Sequence, residues 1–171
     1  VWLVLALLAL AALPALAHTD KPAYDIRNFL RVNDKICTGG QPSLADLERM
    51  KAEGIKAIIN LRRPTEYNAE EEAAKAKELG LRYFNIPVDS SALKDEQVAE
   101  FLKLLADSAN LPAFIHCASA NRVGAFWMIR RVLVDGWKQE AALQEAEKIG
   151  LTNPRLREFA LDYIQRHAKK S

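Results

Sequence analysis

Three short apolar runs, KAIINL (56–61), RYFNIP (82–87) and PAFIHC (112–117), recur along the chain with helix-patterned segments between them. Their apolar residues sit mostly side by side instead of alternating with polar ones, the pattern of strands covered on both faces. Strands of that kind, joined by helices, predict an α/β fold. The expected architecture is a central, mostly parallel sheet of about four to five strands flanked by helices. Residues 28–38 are expected to supply the first strand region.

The punctuation between the runs agrees. GGQPS (39–43) reads as a turn, Ser43 is placed to cap the next helix with Asp46 three residues on, and Gly54 closes that helix. A Glu- and Ala-rich helix closes at Gly80. Val98, Phe101, Leu102 and Leu105, three and four apart, mark the apolar face of a third helix. GAFWMIRRVLV (124–134) predicts a strongly apolar helix, and two more follow, the last with Asn153 as cap and Pro154 at its first position. No linker or repeat interrupts residues 24–171, which read as a single domain after a short leader at 18–23.

The first 17 residues, VWLVLALLALAALPALA, carry no charge and end in Ala15-Leu16-Ala17, with small residues at the two positions that signal peptidase reads. Cleavage after Ala17 is expected. That places the mature protein in the periplasm or outside the cell, with no stable membrane insertion. An uncleaved anchor is the alternative, which a stretch this short only just provides.

Charge and cysteine usage exclude several classes. A formal net charge of +2, with Lys and Arg scattered among Glu and Asp, predicts no nucleic-acid partner. Two cysteines, Cys37 and Cys117, make no disulfide framework. His18, His116 and His167 form no cluster with them at metal-ligand spacing, so neither a metal nor another cofactor is expected.

The chemistry gathers at HCASANRVG (116–124). In open α/β sheets ligands bind beyond the carboxyl ends of the strands, and Cys117 stands there, between an apolar strand and a helix. The loop's backbone N–H groups and the helix N-terminus converge above the cysteine. With Arg122 they favour the thiolate. The guanidinium fork of Arg122 suits two oxygens of a phosphate, and a thiolate beneath a bound oxyanion is a nucleophile in place for attack. A buried, inert cysteine is the competing reading of Cys117 taken alone. His116, Cys117 and Arg122 together at a strand-to-helix turn favour the catalytic one.

HCASANR resembles the signature loop of the protein tyrosine and dual-specificity phosphatases. The likeness is closer to a bacterial phosphatase-like group that includes the domain joined to β-lactamase-like hydrolases. It runs from NFLRVNDKICTGGQPS through IINLRRPTE and NIPVD to HCASANRVGAFW. The resemblance implies a phosphatase-like three-layer sandwich, Cys117 as the nucleophile that forms a phosphocysteine, and Arg122 as the phosphate clamp. It implies His116 as the neighbour that orients the loop, with Ala118, Ser119, Ala120, Asn121 and Arg122 lining the phosphate. The implied substrate is a phosphorylated protein or a small phosphoester.

Three positions depart from the usual signature. Four residues, not five, separate Cys117 from Arg122; Ala120 stands where Gly is common; Val123 replaces a Ser or Thr. Each predicts slow or specialised turnover. The proton for the leaving oxygen must come from another group. Asp89, after the NIPV run and so at the same sheet edge, is the candidate general acid. Opening the next helix with Ser90 and Ser91 is its alternative role, and Asp95 is the weaker choice for the acid. Arg62, Arg63 and Glu66 follow the second strand and read as an Arg–Glu structural pair, with one arginine available to widen the anionic site.

Two other functions fit the same loop. A rhodanese-like sulfurtransferase also uses a cysteine at a strand-to-helix turn, with a shorter loop. A non-catalytic module that keeps the anion pocket would account for Ala120 and Val123.

Overall fold

The computed structural model describes residues 24–168. The expected signal sequence (1–17) and the leader (18–23) lie outside the described residues. The elements in chain order begin with strands β1 (Leu30–Asn33) and β2 (Ile36–Gly39), helix α1 (Leu44–Ala52) and strand β3 (Ala57–Asn60). A 3-10 turn at Pro64–Glu66, helix α2 (Ala69–Glu78) and strand β4 (Arg82–Asn85) follow. Then come α3 (Asp95–Ala106), β5 (Ala113–His116), α4 (Asn121–Leu133), α5 (Gln139–Ile149) and α6 (Pro154–His167).

The sheet has five strands in the order β1-β2-β5-β3-β4, parallel except for the antiparallel β1–β2 pair. The single first strand region expected at 28–38 is instead a hairpin. Asn33 Oδ1 accepts from the Lys35 N–H at 2.9 Å, so the Asn33-Asp34 pair turns the chain. Asn and Asp favour such turns because their side chains bond the backbone two residues on.

Burial on both faces explains the unbroken apolar strands. In β3 Ile58 enters one core cluster and Ile59 the other; in β5 Phe114 and Ile115 divide in the same way. Leu47 and Met50 of α1 and Ala76 of α2 cover the first face. Val98, Phe101 and Leu105 of α3, with α4, α5 and α6, cover the second. Leu102, expected on the same apolar face, is half-buried at its edge. The Phe101 and Phe126 rings meet edge to face, centroids 5.6 Å apart.

Local caps fix where helices start. Ser43 and Asp46 form a reciprocal capping box, Asp46 N–H to Ser43 Oγ at 3.1 Å and Ser43 N–H to Asp46 Oδ2 at 2.9 Å. Asn153 Oδ1 accepts from Leu156 N–H at 3.2 Å, with Pro154 at the first helical position. Gly124 lets α4 and α5 approach closely, since a Cβ there would lie 2.8 Å from Ala146 O and 2.9 Å from Leu151 Cβ.

Strand register aligns Gly39, His116, Asn60 and Asn85 in one row at the carboxyl edge. The chain leaves β3 outward to β4 and returns to the other side of β3 as β5. That reversal is the switch point where α/β sheets open a crevice.

Candidate active site

The loop after β5 is held from three sides. Cys117 N–H donates to Gly39 O at 3.3 Å, and Ser119 bridges Gly40. Asn28 Nδ2 donates to Ser119 O at 3.0 Å. Asn121 Oδ1 accepts the N–H groups of Thr152 and Asn153 at 2.7 and 2.8 Å, which ties the loop to the connection between α5 and α6. The Asn121 side chain is therefore committed to that connection. Asn121 shares the loop after β5 with Ala118, Ser119 and Ala120.

Ala120 sits at φ 63°, ψ 2°, in the left-handed region. For an L-residue that conformation costs about 1–2 kcal/mol, which is why glycine is the easier residue there. Its position does need positive φ, and alanine supplies it under strain. The first helical bond of α4 runs from Gly124 N–H to Ala120 O at 2.9 Å. The amides of residues 121–123 precede that bond and so form the N-terminus of the helix, where such groups lack intrahelical acceptors.

Arg122 is buried and its donors are largely assigned. Nη1 donates to Glu66 Oε1 at 2.9 Å and to Val88 O at 2.8 Å, and Nη2 donates to Glu66 Oε2 at 2.8 Å. A guanidinium has five N–H groups, so one on Nε and one on Nη2 remain. Burial works to lower the Arg122 pKa, but Glu66 and the Cys117 sulfur together raise it, so the cysteine lies beside the guanidinium. Glu66 is pulled down to about 2 by its hydrogen bonds from Arg122, against burial, with Arg63 adding to the effect.

Glu66 is thus the centre of an arginine cluster. Arg63 Nε donates to Glu66 Oε1 at 3.0 Å, and Arg62 Nη2 donates to the Glu66 carbonyl. The expected Arg–Glu pair is present, but its principal partner is Arg122, which sequence spacing does not reveal.

His116, at the end of β5, is fully enclosed. Its Nε2 lies 2.8 Å from Glu72 Oε1, and its ring stacks on Phe114 with centroids 5.5 Å apart. Glu72 also accepts from Gln41 Nε2 at 2.5 Å and Asn60 Nδ2 at 3.2 Å. Burial pushes the Glu72 pKa up, yet the bonds and charge of His116, with Gln41 and Tyr83, bring it below the ordinary carboxylate value. Neither Glu72 nor Gln41 was singled out from sequence. One signal was available: in the run Glu70-Glu71-Glu72, only Glu72 shares a helix face with the buried Ala76, four residues on.

Asp89 follows Val88, whose carbonyl touches Arg122, so it stands at the rim of the same crevice. It does not cap α3, whose N-cap is Lys94. Its carboxylate accepts from Ser91 Oγ at 2.6 Å, Ser91 N–H at 2.8 Å and Arg63 Nη1 at 2.8 Å. Ser91 first, and Arg63 after it, hold its pKa below the ordinary value. Asp95 is elsewhere, paired with Arg166 of α6 at 2.5 and 2.9 Å. A groove lined by Asp89, Ser90, Ser91, Asn153, Pro154 and Arg155 flanks the rim.

Cys37 and Cys117 are both free and buried. They belong to the core clusters on opposite faces of the sheet. Cys37 pairs in register with Phe114, three residues before Cys117, or roughly 10 Å along the strand, too far for a disulfide. Phe126 and Trp127 are both core residues, and Trp127 Nε1 donates to Glu145 Oε2 at 2.7 Å.

This arrangement matches a known family. A family model described as a DSP-PTPase phosphatase fused to NAD+ kinase matches residues 19–161. The chain belongs to that family. A beta-lactamase hydrolase-like protein of Agrobacterium fabrum is 28% identical over 123 residues, covering 70% of this chain and 28% of that protein. The dual specificity protein phosphatase TpbA of Pseudomonas aeruginosa is 23% identical over 139 residues, 80% of this chain and 60% of TpbA. This chain therefore spans less than two thirds of the length of either relative. The structure of TpbA in complex with phosphotyrosine shares the fold at a TM-score of 0.64 and 20% identity, covering 88% of this chain and 93% of that one. The catalytic domain of the PP-IP phosphatase SIW14 of S. cerevisiae gives a TM-score of 0.67 at 21% identity, over 82% and 90% of the two chains. The cysteine phosphatase fold expected from HCASANR is the fold found.

Proposed function

We propose that this domain hydrolyses a phosphate monoester through a covalent intermediate on Cys117. The observation that carries the reading is the state of Arg122. Three of its five N–H groups are fixed by Glu66 and Val88, two remain for a ligand, and the guanidinium, in the first turn of α4, is close enough to Cys117 for the sulfur to raise its pKa. A phosphoryl group there meets a planar pair of donors, the loop amides and a sulfur nucleophile together.

In the proposed step Cys117 Sγ attacks phosphorus, the bond from phosphorus to the leaving oxygen breaks, and Asp89 gives that oxygen its proton. Water then attacks the phosphocysteine, Asp89 takes the proton back, the S–P bond breaks and inorganic phosphate leaves. The substrate is a phosphorylated protein or a small phosphoester, and the phosphotyrosine bound by TpbA supports an aryl phosphate as the first probe. The shortened loop and Ala120 favour slow turnover. Export to the periplasm or medium after removal of residues 1–17 is part of the proposal, supported by the Ala15-Leu16-Ala17 site.

The test is hydrolysis of an aryl phosphate by residues 18–171, its inhibition by vanadate, and its loss in Cys117→Ser. Unchanged hydrolysis in that variant overturns the cysteine mechanism. Absence of hydrolysis with tight phosphate binding returns the domain to a binding module. Thiocyanate formation from thiosulfate would make it a sulfurtransferase.

A further inference from the structure

The most unusual feature near the loop is a buried charge that the proposed reaction does not use. Glu72 is 3% exposed, and its carboxylate lies against the ring of His116, the residue before Cys117. A buried carboxylate is costly unless it is paired and hydrogen-bonded, so its retention here calls for partners. They come from three elements: Gln41 from the turn after β2, Asn60 from β3 and His116 from β5. Tyr83 on β4 also faces it; Asn60 Nδ2 lies 3.1 Å from the Tyr83 hydroxyl, which in turn meets Tyr67 at 2.8 Å.

The same chain of contacts reaches the clamp. Gln41 Oε1 accepts from Arg62 Nη1 at 2.7 Å, and Arg62 Nη2 donates to the Glu66 carbonyl. The residues that hold the loop's ends, Glu72 on His116 and Glu66 on Arg122, are therefore joined through Gln41 and Arg62, with the last contact made to the main chain of Glu66. His116 Nδ1 is buried and has no hydrogen-bond partner among the described residues. With one ring nitrogen unpartnered, the bond to Glu72 is what decides where the imidazole proton resides.

We propose that Glu72 is a positioning residue for the cysteine chemistry: its carboxylate fixes the proton on His116 Nε2 and the ring beneath the loop, so that the charge of residue 72, and not only its shape, sets how reactive Cys117 is. The inference rests on Cys117 being the nucleophile. Glu72 itself touches no substrate. The charged and titratable groups around the pair are Arg62, Tyr67, Tyr83, Cys117 and, through Arg62, the Glu66–Arg122 pair.

Alkylation of Cys117 by iodoacetamide at pH 7, followed peptide by peptide against Cys37, reads the thiol without any substrate. Glu72→Gln is expected to slow Cys117 alkylation roughly ten-fold, the scale of losing the one hydrogen bond to a charged group that holds the His116 ring under the loop. Glu72→Asp, which keeps the charge, should recover most of the rate. In a His116→Gln background the Glu72→Gln change should add nothing. A Glu72→Gln protein that folds and alkylates at the wild-type rate overturns the proposal, as does equal loss with Asp and Gln, or an undiminished effect without His116. Should Glu72→Gln fail to fold, the wild-type protein still decides. The nitrogen-15 spectrum must show His116 carrying a proton on Nε2, and a ring protonated on Nδ1 alone overturns the assignment. Aryl phosphate hydrolysis is scored separately, so a phosphatase-inactive protein with the expected alkylation pattern defeats the phosphatase reading alone.

Discussion

Glu66 takes both Nη groups of Arg122, Oε1 at 2.9 Å and Oε2 at 2.8 Å, across 56 positions of sequence. The pairing is two-pronged and leaves the Nε–H and one Nη2 N–H of the guanidinium without a protein partner among the hydrogen bonds described. Lysine cannot reproduce it, because an ammonium on a flexible stem cannot serve Glu66, Val88 and a phosphate with fixed geometry. Arg122→Lys should therefore lower kcat/KM for an aryl phosphate by about 10²-fold or more, the scale of losing a preorganised oxyanion donor. Phosphate inhibition should weaken in parallel. Wild-type kinetics in the lysine variant would remove Arg122 from its role as clamp.

The same pair predicts how stability responds to acid. The folded-state pKa of Glu66 is about 2, below its ordinary value of 4.5. A group depressed on folding stabilises the protein at pH values above its unfolded pKa, and that contribution is lost as pH falls through the folded one. The wild-type Tm should decline between about pH 4.5 and pH 2 more steeply than that of Glu66→Gln, which has no carboxyl there to protonate. Superimposable Tm profiles over that range would mean that the pair contributes nothing net.

Gly150 supports the loop from outside. Its φ is +131°, and a Cβ there would lie 2.9 Å from Asn28 Nδ2, 3.1 Å from Ser119 O and 3.3 Å from Ala120 Cβ. Gly150→Ala should destabilise by about 2 kcal/mol from backbone strain, lowering Tm by about 5 °C. It should also reduce activity, because the contact pushes on Ser119 and Ala120. Gly136→Ala is the control: φ is +71° but nothing lies within 4 Å, so strain is added without displacing the loop. Equal effects of the two on activity would separate Gly150 from the site.

What the sequence revealed follows from how local each signal is. The strands β3 and β5 were visible because burial on both faces leaves an unbroken apolar run, as Ile58 and Ile59 show by entering different clusters. Cys117 and Arg122 were visible because both stand on the loop and helix start after β5, within one contiguous segment. The β1–β2 hairpin was missed because Asn33-Asp34, a turn signal, was read through as strand. Glu66 was seen beside Arg62 and Arg63 but not with Arg122, and Glu72 was not seen at all. Both contacts cross several elements, and in sequence a buried carboxylate in a Glu-rich helix looks like its solvated neighbours. Asn121 was read as part of the phosphate loop, yet its side chain faces Thr152 and Asn153.

Asp89 gives the sharpest test of the proposed mechanism, because its surroundings oppose the role assigned to it. A general acid must carry its proton into the transition state, yet Ser91 and Arg63 both favour the carboxylate. Asp89→Asn should cost about 10²–10⁴-fold with a poor leaving group such as phenyl phosphate. The loss should be much smaller with nitrophenyl phosphate, whose leaving oxygen departs without a proton. Ser91→Ala then tests the environment itself. Removing two groups' worth of stabilisation is not needed: loss of the Oγ bond at 2.6 Å alone takes away the largest influence holding the pKa down. The Asp89 pKa should rise toward its ordinary value, and the basic limb of the pH–rate profile should move to higher pH with phenyl phosphate as substrate. The nitrophenyl profile should stay where it is. A basic limb that does not move in Ser91→Ala, together with equal losses for both substrates in Asp89→Asn, would leave Asp89 as a partner of Arg63 at the rim and assign the proton to another group.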